Sequence, residues 1–261
     1  MFDYHLHTTV SFDGIGTARE MAKAAKKAGL KEICFTDHMD YSDDLKLPPD
    51  IFTMEEYQVA YDELEVPGVK IRKGVEFGLT IYNTKELQEF LAKRPFDFVI
   101  GSVHYAGGMD PYCENYWVNR TAEEGFRNHL EVMLKCVKVH EDYDVLGHLT
   151  YAGKSQYNPT KKPIPYDEYR DLIDEILRVL VTKGKGIEIN TSGVDRIGAF
   201  LPTADIVQRF HELGGEIVTV GSDAHNVDRV GQYCKEAIDT VKDIFGYVCT
   251  FENRKPIFHK L

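Results

Sequence analysis

Short apolar runs rich in β-branched residues alternate with longer amphipathic stretches from one end of the chain to the other. The runs Phe2–His5, Glu32–Thr36, Val69–Val75, Phe98–Val103, Val145–His148, Gly186–Asn190 and Glu216–Val220 read as strands, and several are apolar without interruption, as strands buried on both faces are. Three Thr-x-x-Glu capping boxes, Thr17…Glu20, Thr53…Glu56 and Thr121…Glu124, mark helix starts. They predict helices over about 18–28, 54–65 and 122–141, and the periodicity adds further helices at about 84–93, 166–183, 204–213 and 229–245. Gly29 and Gly214-Gly215 read as helix stops that lead into the next strand.

About seven strand–helix units in succession predict an α/β protein built on a parallel sheet, open or closed. Neither a repeat nor a linker interrupts the pattern, so residues 1–261 are expected to form a single domain. The longest irregular connection, Asn158–Pro165, reads as a surface excursion or a lid.

Composition narrows the partners. With 31 Lys and Arg against 42 Asp and Glu, the formal charge is −11, and no basic stripe offers counterion release on a nucleic acid backbone. Extended DNA or RNA is not expected as a partner, whereas a small phosphorylated substrate remains open if bound divalent metals supply local positive charge. The five cysteines are widely spaced, with no CxxC pair, and read as reduced thiols. Met1 leads directly into an alternating stretch and no eighteen apolar residues run together, so no membrane span and a cytoplasmic location are expected. Oligomeric state is left open.

The chemistry lies at the predicted strand ends. His5 and His7 stand two apart, a spacing that turns both imidazoles to one face. Asp37-His38, Glu76, His104, His148 and Asp223 with His225 then follow the second, third, fourth, fifth and seventh strands. In a parallel barrel all these ends share one rim, where barrel enzymes place their active sites. Each of these residues taken singly reads equally well as an ordinary loop cap. Six of the ten histidines on one rim is a placement chance explains poorly, and mixed imidazole and carboxylate donors without cysteine suit catalytic zinc, iron or manganese.

In order along the chain, Asp3-Tyr-His-Leu-His7-Thr, Phe35-Thr-Asp-His38, Gly74-Val-Glu76, Gly101-Ser-Val-His104, Gly147-His148 and Gly221-Ser-Asp-Ala-His225 resemble the successive motifs of the polymerase and histidinol phosphatase (PHP) family. Glu188-Ile-Asn-Thr-Ser-Gly193 and Leu213-Gly-Gly-Glu216 resemble its stand-alone histidinol-phosphate phosphatase branch, which serves histidine biosynthesis. The resemblance implies a distorted (β/α)7 barrel with two or three divalent metal ions, Zn, Mn or Fe. It implies one ion on His5, His7, Glu76 and Asp223, a second on Glu76, His104 and His148 with Glu76 bridging, and a third on Asp13, His38 and His225. Asp13 stands where some relatives have histidine, and Asp13-Gly14 also reads as a plain turn. Asp3 and Asp37 are expected to orient ligand histidines from behind.

Two ions about 3.5–4 Å apart can clamp both oxygens of an in-line displacement, and a hydroxide bridging them is the expected nucleophile. Asp223 or His225 is the candidate acid for the departing alkoxide. Lys154 and Arg196, both beyond strand ends, are the candidate phosphate contacts, with solvent-exposed charge as the bland alternative; the branch leads one to expect arginine where Lys154 stands. Tyr112–Trp117 is expected to wall the pocket, Trp117 lining it and Glu114 meeting a cationic group of the substrate, although a satellite aromatic cluster explains these residues as well.

The implied activity is a metal-dependent phosphomonoesterase acting on L-histidinol phosphate. Two alternatives stand beside it: the same site acting on nucleotides or another small phosphate ester, and a metal-binding regulatory module that has lost its chemistry.

Overall fold

The computed structural model describes every residue of the chain except Asp43 and Leu45. Seven parallel strands are arranged side by side: β1 (Phe2–Leu6), β2 (Glu32–Phe35), β5 (Lys70–Gly78), β6 (Phe98–Ser102), β7 (Val145–Leu146), β8 (Gly186–Asn190) and β9 (Val218–Gly221). The two ends of this sheet meet through a parallel bridge between Leu6 and Ala224, with His7 N–H donating to the Ala224 carbonyl at 2.9 Å and Asp223 N–H to the His5 carbonyl at 2.9 Å. The result is a nearly closed barrel; the strand–helix alternation predicted the parallel sheet, and the family resemblance implied its closure into a barrel.

Two short strands lie between β2 and β5. β3 (His38–Asp40) pairs parallel with the upper half of β5, His38 opposite Glu76, while β2 pairs with the lower half; β4 (Asp50–Ile51) pairs antiparallel with β3. β2 and β3 therefore run along one neighbour, interrupted at Thr36-Asp37. That break puts His38 and Asp40, two residues apart on β3, beside the barrel mouth.

Helices α1 (Ala18–Lys27), α2 (Met54–Tyr61), α3 (Thr84–Leu91), α4 (Glu114–Trp117), α5 (Ala122–Val139), α6 (Arg170–Thr182), α7 (Val194–Ile197), α8 (Ala204–Glu212) and α9 (Cys234–Phe245) follow the strands. All three capping boxes form, each Thr hydroxyl accepting from the Glu backbone N–H and each Glu carboxylate accepting from the Thr N–H. On α5, Phe126, His129, Leu130, Met133, Leu134 and Val137 are buried at helical spacing, which fixes the face turned to the core. Two long helices start later than the periodicity suggested: 3-10 turns at Tyr166–Glu168 and Val227–Arg229 precede α6 and α9. The 158–165 connection is tied down by Asn158, whose amide donates to the Gly153 and Lys162 carbonyls at 3.0 Å each, so it forms an ordered turn.

A C-terminal hairpin, β10 (Tyr247–Glu252) and β11 (Lys255–Lys260), was not anticipated. It turns at Asn253-Arg254, both in the left-handed region, the backbone a two-residue hairpin loop requires. Cys249 and Phe251 on β10 pack with Tyr4, Cys34, Phe98, Ile100 and Val145 in a separate apolar cluster, Phe251 lying 4.7 Å from Phe98 between ring centroids. Polar and ionisable groups gather instead at the C-terminal ends of the strands.

Candidate metal and phosphate site

Each candidate side chain owes its position to a strand end. The pairing of β1 with β2 slips between Asp3 and Leu6, a bulge that re-aims the segment carrying His5. His148 and Asp223 follow β7 and β9 with φ of 21° and 56°, a left-handed backbone that is uncommon for residues with a side chain. Gly221 allows the close approach of β9 to β1, because a Cβ there would lie 2.3 Å from the Cβ of His5 and 2.4 Å from Glu188 Oε1.

Glu76 stands at the centre, fully buried. Its Oε1 lies 2.8 Å from His148 Nε2 and 3.2 Å from His104 Nε2, and accepts from Ser102 Oγ at 2.6 Å. Its Oε2 lies 3.1 Å from His5 Nε2, 3.1 Å from His38 Nδ1 and 3.5 Å from His7 Nε2. Asp223 Oδ1 is 3.3 Å from His7 Nε2 and 3.7 Å from His5 Nε2. The nine residues expected as ligands thus come together, with Glu76 between the groups.

Among the described residues, four sets of donor atoms lie close enough to share an ion: His5, His7 and Asp223; His5, Glu76 and His148; His7, His38 and His225; and His38, Asp40 and His104. The grouping differs from the expected one: His5 joins Glu76 and His148, His104 groups with His38 and Asp40, and His7 replaces Asp13 beside His38 and His225. Asp13 touches His225 at 3.0 Å but stands 3.8 Å from His38 and is 38% exposed, while His7 and His38 stack at 4.2 Å between ring centroids and His7 and His225 at 4.1 Å. The third set is therefore drawn together by His7, with Asp13 at its outer edge.

The supports behind the rings also differ from expectation. Asp3 accepts from Ser222 N–H at 2.8 Å, Ser222 Oγ at 2.5 Å and Gly231 N–H at 2.9 Å, tying β1 to the segment after β9 without reaching an imidazole. Asp37 accepts from Thr8 N–H at 2.7 Å and from Tyr61, and reaches His7 only through Ser11, whose hydroxyl lies 2.9 Å from Asp37 and 3.3 Å from His7 Nδ1. The carboxylates that do contact rings are Glu188, 2.6 Å from His5 Nδ1, and Asp40, both oxygens of which lie 3.0 Å from His104 Nδ1. Each carboxylate holds the nitrogen that faces away from the centre.

Burial works against every charge in this cluster, and the neighbours decide the outcome. Desolvation alone would raise the carboxyls of Glu76 and Asp223, yet both are held well below the usual range, Glu76 by His5 and His104 and Asp223 by Lys154 and His5. Burial lowers His148 and, helped by His225 and His38, lowers His7 well below the ordinary imidazole value. Among the described residues, His5 Nε2, His7 Nε2, His38 Nδ1 and Glu76 Oε2 are buried without a hydrogen-bond partner. Such atoms are costly unless something satisfies them, and an all-nitrogen-and-oxygen donor set converging on one point fits zinc, manganese or iron.

Above the cluster opens a cavity of about 520 Å3. Lys154 lines it, nearly buried, with Nζ 2.7 Å from Asp223 Oδ2 and 2.9 Å from Ser192 Oγ. Arg196 lies at the rim, exposed, over the Tyr112 ring and bonded to its hydroxyl. The other two expected substrate contacts are elsewhere. Trp117 is buried against Gly125, its indole N–H donating to the Pro111 carbonyl at 2.7 Å, and Glu114 is exposed on the first turn of α4; neither lines the cavity. The carboxylate that does line it from this loop is Asp110, whose Oδ1 accepts from Tyr112 N–H at 2.8 Å and Tyr151 OH at 3.1 Å.

This arrangement of strand-end donors accompanies a match to the PHP domain over residues 3–192. The chain belongs to the PHP family. As a PHP protein it is 34% identical to the histidinol-phosphatase of Lactococcus lactis over 97% of this chain and 95% of that one. A Thermotoga maritima protein named as a probable histidinol-phosphatase is 30% identical with both chains covered in full. Among solved structures, the L. lactis histidinol phosphate phosphatase complexed with zinc, L-histidinol and phosphate superposes with a TM-score of 0.81 at 30% identity, covering 98% of each chain. Asp223 and His225 lie beyond the matched PHP segment but within the span shared with these relatives.

Proposed function

We propose that this PHP protein is a metal-dependent phosphomonoesterase that hydrolyses L-histidinol phosphate to L-histidinol and phosphate. The observation that carries the reading is full-length similarity to histidinol-phosphatases combined with a buried imidazole–carboxylate cluster beneath a cavity of substrate size. In this reading residues 1–261 act as one domain, because β9 supplies Asp223 and the C-terminal hairpin seals the far end of the same barrel.

His5, His7, Glu76, His104, His148 and Asp223 would hold two ions, and His7, His38 and His225, with Asp13 beside them, a third. Bound there, the metals supply a Lewis acid for the phosphoryl oxygens and a water activated near neutral pH. Lys154, held between Asp223 and Ser192, reaches a phosphoryl oxygen from the cavity wall as a point charge. Arg196 meets the phosphate or its approach at the rim.

Asp223, held ionised by Lys154 and His5, has no proton to give the departing alkoxide, which leaves His225 as the candidate acid. His225 carries a proton: burial opposes its charge, but Asp13 and Asp223 raise its pKa above the ordinary value. A ring nitrogen that binds an ion holds no proton, so His225 serves the departing alkoxide only when it is not a ligand.

Asp110 takes the part expected of Glu114. Its Oδ1 is engaged by Tyr112 and Tyr151, which leaves Oδ2 to face a cationic nitrogen of the substrate. The reading is tested by complementation of a histidine-requiring strain that lacks its own histidinol phosphatase: growth without histidine supports it, and no growth with the protein expressed and folded counts against it. Among the described residues no helix is long and apolar enough to cross a membrane; a cytoplasmic location is part of this proposal.

A further inference from the structure

Outside the set of expected ligands, Asp40 is a carboxylate that reaches two imidazoles assigned to different ions. Both its oxygens lie 3.0 Å from His104 Nδ1, and Oδ2 lies 3.3 Å from His38 Nδ1. His104 points its other nitrogen at Glu76 Oε1 and His148 Nε2, at 3.2 and 3.3 Å, so Nε2 is its ligand atom and Nδ1 is left to carry a proton. For His38, Nε2 faces the Asp13 side, and Nδ1 has no hydrogen-bond partner. Glu76 Oε2 is as near to that Nδ1, at 3.1 Å, but the same oxygen also faces His5 and His7. Asp40 shares a donor set with His38 and His104 but, unlike Glu76, it is not among the residues expected to hold the three ions.

The backbone makes room for this contact. Gly78 on β5 passes beside Asp40 so closely that a Cβ there would lie 2.5 Å from Asp40 Oδ1 and 3.1 Å from its Cα. β3 is only three residues long, yet it carries both His38 and Asp40, so the brace and one of the rings it holds move together.

We propose that Asp40 is a positioning residue shared by two metal positions, orienting His104 for one ion and His38 for another. This rests on the metal-binding reading above. Its signature is a double loss: a support that serves a single histidine weakens one ion, and one that serves two weakens both.

The test is metal content by elemental analysis, together with ion release to a chelator, for protein loaded with Zn2+ or Mn2+. His38→Ala and His104→Ala are each expected to lose about one ion, and Asp40→Ala as many as the double variant. Asp40→Asn, which keeps the shape without the charge, should release two ions roughly 10–100-fold faster. Gly78→Ala, which leaves every donor in place, should shift release in the same direction. Far-UV circular dichroism of the metal-stripped proteins confirms folding; should Asp40→Ala not fold, Asp40→Asn and Gly78→Ala carry the comparison. A variant of Asp40 that loses only what His104→Ala loses, or that matches the parent, overturns the shared role while leaving the metal reading intact. A parent protein that binds no ion overturns both.

Discussion

His104 and His148 face each other ring nitrogen to ring nitrogen, Nε2 to Nε2, at 3.3 Å. Both nitrogens also face Glu76 Oε1. With His104 Nδ1 directed at Asp40, both Nε2 atoms and Glu76 Oε1 converge on one point, where a cation could be shared by all three. Glu76→Gln keeps the volume and removes the charge that both donor sets share. It is expected to lower metal content by at least one ion per chain and to cut phosphatase activity by 10²-fold or more, read by elemental analysis and phosphate release.

Lys154 is the nearly buried cation of the cavity wall, paired with Asp223. Lys154→Met should lower kcat/KM about 10²–10³-fold, in the range found when one donor to developing charge is removed. Lys154→Arg is expected to recover most of that loss, because a guanidinium offers phosphate the same charge with a fork of donors. Steady-state kinetics on one substrate batch checks both.

Asp110 is expected to set preference rather than rate. Asp110→Asn should reduce kcat/KM for L-histidinol phosphate about 10–100-fold, the worth of one hydrogen bond to a charged group, and leave an uncharged aryl phosphate within about threefold. An equal loss on both substrates contradicts the assignment.

His129 gives the fold a pH dependence of its own. It is buried, its Nε2–H donates to the Val103 carbonyl at 2.8 Å, and burial pushes its pKa down to about 4 from the ordinary 6.5. Between these values the unfolded chain binds the proton and the folded one does not, so this contribution to stability is whole above pH 6.5 and is lost as pH falls towards 4. The full shift corresponds to about 3 kcal/mol at most. His129→Gln should flatten the stability difference across pH 4–6.5, measured by denaturant unfolding of both proteins at each pH.

How much of this was legible in the sequence depends on where each residue lies. His5, His7, His38, Glu76, His104, His148, Asp223 and His225 stand at the ends of recognisable apolar runs, and a parallel barrel brings such ends to one rim whatever the details of packing. Asp40 carried no such signal, since β3 is three residues long and held by its pairing with β5 rather than by a pattern of its own. Glu188 lies inside β8, where a charged residue between Ile187 and Ile189 gives no hint that it reaches His5 across the barrel. Glu114 and Asp110 sit four positions apart in one loop, and the single turn of α4 decides which of them faces the cavity. The hairpin β10–β11 went unread, because its two-residue loop, Asn253-Arg254, lacks the glycine that usually marks such a turn.

The central claim is tested most directly by phosphate release from L-histidinol phosphate by the Zn2+- or Mn2+-loaded protein, run beside an aryl phosphate, a panel of mononucleotides and the Glu76→Ala variant. The account predicts a kcat/KM of roughly 10⁴ M⁻¹s⁻¹ or more for L-histidinol phosphate, far above the other esters and abolished in the variant. Comparable weak rates on every ester, or a rate that survives in Glu76→Ala, would contradict it.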